Sequence, residues 1–214
     1  MTVFLPRIHP SPDGKPLPPK ETAEMFRAFA YALAVGRRSW DSVTAAFITD
    51  RFDEIAADWD ATEATGRDDP LRDALLRGGP FPDGLCLELG SGTGLFTGLL
   101  AGAFPQVVSV GLSQQMLRQA DGRSPWRVRA DAGALPLADG SVAAVAAIDM
   151  PLFPAETARV LAPEGALLWI NQLGPDGPLH LSAQDVIAAL PGHWDAIEAE
   201  AGWGSWAVLR RARV

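Results

Sequence analysis

The 214-residue sequence has little cysteine, little histidine and little positive charge. Cys86 is its one cysteine. An internal disulfide is therefore excluded, and a reducing, cytoplasmic setting is expected. The histidines, His9, His180 and His193, are scattered, and with a single thiol they give no zinc-ligand spacing, so no metal is expected. Against 26 Asp and Glu stand 18 Lys and Arg, a formal charge of −8. That balance weighs against a nucleic-acid partner, whose footprint is a basic patch. Arg210-Arg211-Ala212-Arg213 reads as a short solvated end. No apolar run reaches the ~18 residues of a membrane span. The residues after Met1 show no charged-then-apolar leader pattern. A membrane partner is therefore not expected, and composition is silent on oligomeric state.

What is present is a 48% hydrophobic chain of a length that suits one domain with some elaboration. Its organising stretch is GLCLELGSGTGLFTGLL, from Gly84 to Leu100. Leu85-Cys86-Leu87 reads as a short buried strand, followed by Glu88 and by Gly90, Gly92 and Gly94. An apolar helix is then expected, with Leu95, Phe96, Leu99 and Leu100 on its buried side. Glycine allows positive φ and close approach of a ligand to the main chain. Free N–H groups at a helix start favour a negative group. The turn is thus suited to a small ligand carrying a carboxylate or phosphate; a glycine turn with no ligand is the plain alternative. The dinucleotide fingerprint G-x-G-x-x-G is not matched, because the third glycine comes one residue early.

The spelling E-L-G-S-G-T-G resembles motif I of the class I S-adenosylmethionine-dependent methyltransferases. In that family the loop wraps the methionine part of the cofactor, which implies contacts from Glu88, Gly90, Ser91, Gly92 and Gly94. The rest of the chain falls into register with the same family. Gln106–Val110 reads as a second strand. After it the family pattern is an acid, an apolar residue, Ser, two others and Met-Leu. Ser113, Met116 and Leu117 match, and Leu112 takes the place that packs on adenine. The ribose-binding acid, however, is Gly111 here. Ser113, Gln114 or a water are the remaining candidates for that role.

Trp126–Ala130 reads as a third strand. Asp131-Ala132 and Leu135–Ser141 resemble the third motif, which implies that Asp131 accepts from the adenine amino group. A turn-capping aspartate is the alternative. Val142–Ile148 is apolar enough for an inner parallel strand. It ends at Asp149-Met-Pro-Leu-Phe153, where the resemblance places the fourth motif, beside the transferable methyl. Ile148 is assigned to the cofactor and Asp149 to catalysis, by orienting a nucleophile or holding the cofactor's amino group; capping the helix at Pro154 is the other reading. Tyr31 and His180 are weaker candidates for a base, and Phe52, Trp59 or Phe153 for an aromatic face near the cation. RVLAPEGALLWI, Arg159 to Ile170, resembles the family's R-V-L-x-P-G-G-x-L segment and is structural.

Around this core, residues 1–20 carry six prolines from Pro6 to Pro19 and read as an extended arm. Residues 21–80 read as an N-terminal helical cap. It holds one helix over Glu21–Arg38 and a second started by Asp41 or Ser42, with Phe47, Ile48, Phe52, Ile55 and Trp59 on one stripe. A third starts at Asp68-Asp69-Pro70. Residues 81–214 read as the core. A helix capped by Ser182 and a closing hairpin around Gly202 complete it. The expected fold is α/β: a Rossmann-like, mostly parallel seven-stranded sheet with helices on both faces and an N-terminal helical extension. The implied function is methyl transfer from S-adenosyl-L-methionine to a small-molecule acceptor. A non-catalytic binder of that cofactor or of S-adenosylhomocysteine, or an enzyme of another reaction on the same scaffold, is the second reading. A nicotinamide-dependent dehydrogenase is disfavoured by the glycine spacing and the missing acid.

Overall fold

The computed structural model describes residues 1–62 and 66–212. Among the described residues, eight strands form one sheet: β1 (Thr2–Phe4), β2 (Leu85–Leu89), β3 (Gln106–Gly111), β4 (Arg127–Arg129), β5 (Val142–Ile148), β6 (Leu161–Asn171), β7 (Trp194–Ala201) and β8 (Gly204–Arg211). The helices are α1 (Lys20–Ala34), α2 (Ser42–Ile55), α3 (Asp69–Arg77), α4 (Thr97–Ala101), α5 (Gln114–Gln119), α6 (Pro154–Val160) and α7 (Ala183–Ala189). The strand order is β1-β7-β8-β6-β5-β2-β3-β4. From β6 to β4 all neighbours are parallel, and only β8 runs antiparallel to those beside it. The α/β fold expected from the sequence is present, with one strand more than the seven predicted.

The extra strand is β1, which pairs in parallel with β7. Prolines begin only at Pro6, so Thr2–Phe4 keep the N–H groups a ladder needs. The proline-rich remainder stays extended against the β7–β8 turn. Arg7 donates to the Gly202 carbonyl at 2.6 Å, Gly202 N–H to that of His9 at 3.2 Å, and Trp203 Nε1 to that of Pro12 at 2.6 Å.

Alternate residues of each central strand feed two cores. Leu87, Leu89, Val145, Ala147, Leu167 and Trp169 bury one face, beneath Ala158 and Val160 of α6 and Val186 of α7. Cys86, Ala144, Ala146, Leu168, Ile170 and Val208 bury the other, beneath Leu71 and Ala74 of α3 and Leu100 of α4. Trp169, Trp194, Trp203 and Trp206 are all buried, as core packing requires. Cys86 is buried too, and burial pushes its thiol pKa up, so it is a packing residue and not a nucleophile.

Two sequence expectations are corrected. The apolar stripe of α2 is not buried: Phe47 is exposed, no residue of the helix is fully buried, and Ile48, Phe52 and Ile55 are half-buried. The helix does not lie on the sheet; it packs on α5 and on the 3-10 segment Ala56–Thr62. The helix after the glycines is also later and shorter than predicted. It starts at Thr97, because Gly94 has φ +74° and the chain makes a further turn, Thr97 N–H to the Gly94 carbonyl, before a helix can begin.

Asp73 and Arg77 pair within α3, and Trp206 of β8 ties that pair to the sheet. Asp73 receives Arg77 through both carboxylate oxygens and Trp206 Nε1 at 2.7 Å. Burial alone would raise its pKa, but these donors hold it below the usual carboxylate range. A group with a depressed folded pKa stabilises the fold above its unfolded pKa, and that contribution is lost as pH falls through the folded value. Asp73→Ala leaves Arg77 and the Trp206 indole unpaired and is expected to cost about 3–5 kcal/mol in urea unfolding. The loss should shrink as the wild type is acidified below pH ~4.

Candidate functional site

The carboxyl ends of the parallel strands meet where β2 stands between β3 and β5, and there the connections leave toward opposite sides. Crevices of open α/β sheets lie at such a switch. Gly90, Gly92 and Gly94 have φ of +66°, +55° and +74°, a conformation that disfavours any side chain. Space matters as well at two of them. A Cβ on Gly90 would lie 3.3 Å from Met150, and one on Gly94 would lie 3.1 Å from Ala120.

Glu88 supports this loop from beneath. It is 1% exposed, and its Oε2 accepts from Thr97 at 2.6 Å and Ser109 at 2.7 Å. Ser109 continues to Ser124 at 2.8 Å. Burial pushes the carboxyl pKa up against these hydrogen bonds. Oε1 of Glu88 and Oγ of Ser91 are buried with no hydrogen-bond partner among the described residues.

On the β3 side, Gly111 ends the strand, and Ser113 caps α5 by accepting from Met116 N–H at 3.0 Å. Leu112 is half-buried, and its carbonyl accepts from Arg129 Nε at 3.0 Å. Asp131 follows β4. Its Oδ1 accepts from Gly133 N–H at 2.7 Å, the turn-capping bond. Its Oδ2 accepts from Trp40 Nε1 at 2.8 Å. Ala132 is half-buried beside it. The Trp40 ring stands edge-on to Phe153, centroids 5.2 Å apart.

After β5, Ile148 is buried and Asp149 takes φ +43°, a left-handed conformation for a non-glycine residue. Asp149 does not cap α6, whose first position, Phe153, has no side-chain cap. Instead its Oδ1 accepts from Gln172 N–H at 3.1 Å, and Gln172 Oε1 accepts from Arg67 at 3.2 Å. Burial pushes Asp149 up to about 6, partly offset by the Gln172 N–H and the Arg67 charge. Asn171 Oδ1 nearby is buried without a partner among the described residues. Of the weaker candidates, Tyr31 is exposed. Partial burial lowers the His180 pKa, which favours the neutral imidazole.

Sequence reasoning named Phe52 and Trp59 but missed the polar residues that close the site from above. Thr93 donates to Asp60 Oδ1 at 2.6 Å, and Arg123 bonds both the other Asp60 oxygen and the Thr93 carbonyl. Trp59 stands over Gly92, its Nε1 4.0 Å from the Cβ position there, and packs edge-on against Phe52 at 5.6 Å. Asp53 of α2 accepts from Ser113 Oγ and from Gln115 N–H at 3.1 Å. The residue types were visible in the sequence, but their partners lie 33 to 63 positions away, and no spacing pattern announces such pairs.

A methyltransferase domain model matches residues 87–169, the span from β2 to β6 that carries the loops just described. That stretch is thus similar to the methyltransferase domain family, over somewhat less than half of the chain. Among curated proteins, this chain is 38% identical over 102 residues to the malonyl-[acyl-carrier protein] O-methyltransferase of Methylococcus capsulatus, covering 42% of this chain. The match spans 36% of that relative's length. Among solved structures, DhpI in complex with SAH aligns with a TM-score of 0.59 at 22% identity, over 79% of this chain and 98% of its own. The [4+2]-cyclase SpnF aligns with a TM-score of 0.56 at 19% identity, over 71% of this chain and 75% of its own. At such identities these two structures share the fold with this chain. Among the described residues, no helix is long and apolar enough to cross a membrane.

The segment above the site is held mainly by polar contacts, so it should open independently of the sheet. Asp60→Ala removes the bonds to Thr93 and Arg123. Amide exchange in the Ala56–Thr62 segment is then expected to rise about tenfold, with β5 and β6 unchanged, by hydrogen–deuterium exchange mass spectrometry.

Proposed function

We propose that this chain binds S-adenosylmethionine at the carboxyl edge of its sheet and transfers the methyl group to a small-molecule acceptor. The observation that carries the reading is the run of three left-handed glycines directly after β2, braced by the buried Glu88 at the switch in strand order. The residues present fit the cofactor. Gly90, Ser91, Gly92 and Gly94 offer main chain free of side-chain bulk, and Ser91 Oγ is a buried hydroxyl that still wants a partner. Leu112, Ala132 and Ile148 supply apolar walls. Asp131 would accept from the adenine amino group, in place of or beside Trp40 Nε1.

When bound, the cofactor supplies a methyl already made electrophilic by its sulfonium. The protein then has to align an acceptor with it and exclude water, and both are work of position. Trp59 and the Ala56–Thr62 segment close the site from solvent. Asp149, held by Gln172 and pushed up to about 6, can take a proton from an acceptor near neutral pH. An acidic surface and a helical cover suit a small acceptor better than nucleic acid. The M. capsulatus relative is named for a malonyl group on a carrier protein, so small carboxylic acids and carrier-bound acyl groups are the first acceptors to compare. The lone buried Cys86 suits a cytoplasmic setting.

The alternative, cofactor binding without methyl transfer or with another reaction, is favoured by Gly111 standing where the family has its ribose acid. It is also favoured by the occurrence of this fold in a protein named as a cyclase. Product analysis separates the two readings.

The first measurement is isothermal titration with S-adenosylhomocysteine, with NAD in parallel. Micromolar binding of the first and none of the second is expected, and Asp131→Ala should weaken the first about tenfold. Absence of binding by the folded protein overturns the cofactor reading. Once an acceptor is found, kcat/KM should rise with pH through a midpoint near 6 as Asp149 loses its proton. Asp149→Asn should abolish that limb and lower the rate by about 100-fold or more.

A further inference from the structure

We infer that Asp53, carried on α2, supplies the carboxylate for the cofactor's ribose hydroxyls that the end of β3 lacks at Gly111. The inference rests on the cofactor reading above. In nucleotide sites of this topology, an acid after the second core strand takes the ribose hydroxyls. Here that strand is β3, and its last residue has no side chain. A Cβ built on Gly111 would sit at 3.4 Å from Leu117 and 3.9 Å from Ser91 Oγ, both ordinary contacts, so the chain itself leaves the position unfilled.

A carboxylate nevertheless reaches this loop from another element. Asp53 Oδ1 accepts from Ser113 Oγ, two residues past Gly111, and from Gln115 N–H at 3.1 Å. The Ser113 hydrogen bond, against the cost of partial burial, holds Asp53 below the usual carboxylate range; the Gln115 N–H and the charges of Arg129 and Arg118 add to it. It is therefore ionised across the physiological range. A carboxylate accepts about four hydrogen bonds, and among the described residues none engages Oδ2.

An independent observation lies beside Gly111, at Ser91, whose Oγ is 3.9 Å from the Cβ position there. Ser91 is 7% exposed, and its buried Oγ has no partner among the described residues. A buried hydroxyl left without one is destabilising. A ribose between the two would give Ser91 its partner and place a hydroxyl donor on Asp53. Capping α5 accounts for Oδ1 of Asp53 but for neither Oδ2 nor Ser91. On this arrangement the ribose joins the cover to the sheet, and cofactor binding and closure of α2 are one event.

The test uses the full chain, S-adenosylhomocysteine and its 2′-deoxyribose analogue. D53N keeps an oxygen for Ser113 and Gln115 but removes the charge; D53A removes both. The wild type should prefer the ribose ligand over the deoxy ligand. D53N should weaken S-adenosylhomocysteine about tenfold or more while leaving the deoxy ligand nearly unchanged, and G111D placed on D53A should recover part of the loss. Hydrogen–deuterium exchange would show α2 still docked in D53N. Wild-type affinity in D53N, with loss only in D53A, would make Asp53 a latch for α2 and overturn the inference while leaving the cofactor reading intact. A wild type that binds neither ligand would overturn both.

Discussion

The site depends on one buried carboxyl. Glu88 lies at the end of β2 with a single oxygen receiving hydroxyls from Thr97, which opens α4, and from Ser109 on β3. Three elements on either side of the glycine turn are thereby tied to one atom. Without that brace the turn would have little to hold it, because glycine gives up more backbone freedom on folding than any other residue. The burial that makes Glu88 costly to ionise also makes its hydrogen bonds strong, since there is no water to compete for them. Gly90, Gly92 and Gly94 can then keep their left-handed geometry without side chains to pack.

The layer above is built differently. The sheet and its two faces are held by apolar burial, while α2 and the Ala56–Thr62 segment attach mainly through Asp53, Asp60, Thr93, Arg123 and Trp59. No residue of α2 is fully buried. Such contacts exchange readily with water, and each contributes on the order of 1 kcal/mol net. A stable platform and a detachable cover follow from that difference in chemistry. The Trp40 bond to Asp131 has the same character: it satisfies a carboxylate oxygen until another donor replaces it.

The platform was legible in the sequence because its signals are local. Short apolar runs marked Leu85–Leu87, Val142–Ile148 and the closing hairpin, and the motifs fell on the loops between them. Asp131 and Asp149 were found at strand ends because position after a strand is itself a signal. The cover was not legible. Phe47 and Ile48 followed helical spacing that elsewhere means burial, but no sheet lies beneath them. Asp53, Asp60 and Trp40 acquire meaning only from residues 33 to 91 positions away. The short α4 was mistaken for a longer helix because apolar spacing does not reveal the φ of Gly94. The eighth strand was hidden by the prolines that follow it.

The two margins of the sheet, β1 and β4, are three residues each and exposed at every position. Eight strands side by side present open N–H and C=O groups at both borders, and a long flat border is a template on which another chain can align. Here neither border is long enough to register a foreign strand. β4 adds Arg127 and Arg129, whose charges must be stripped of water before anything approaches. Resistance to aggregation is thus written into the least conspicuous strands of the molecule, which contribute little to its core.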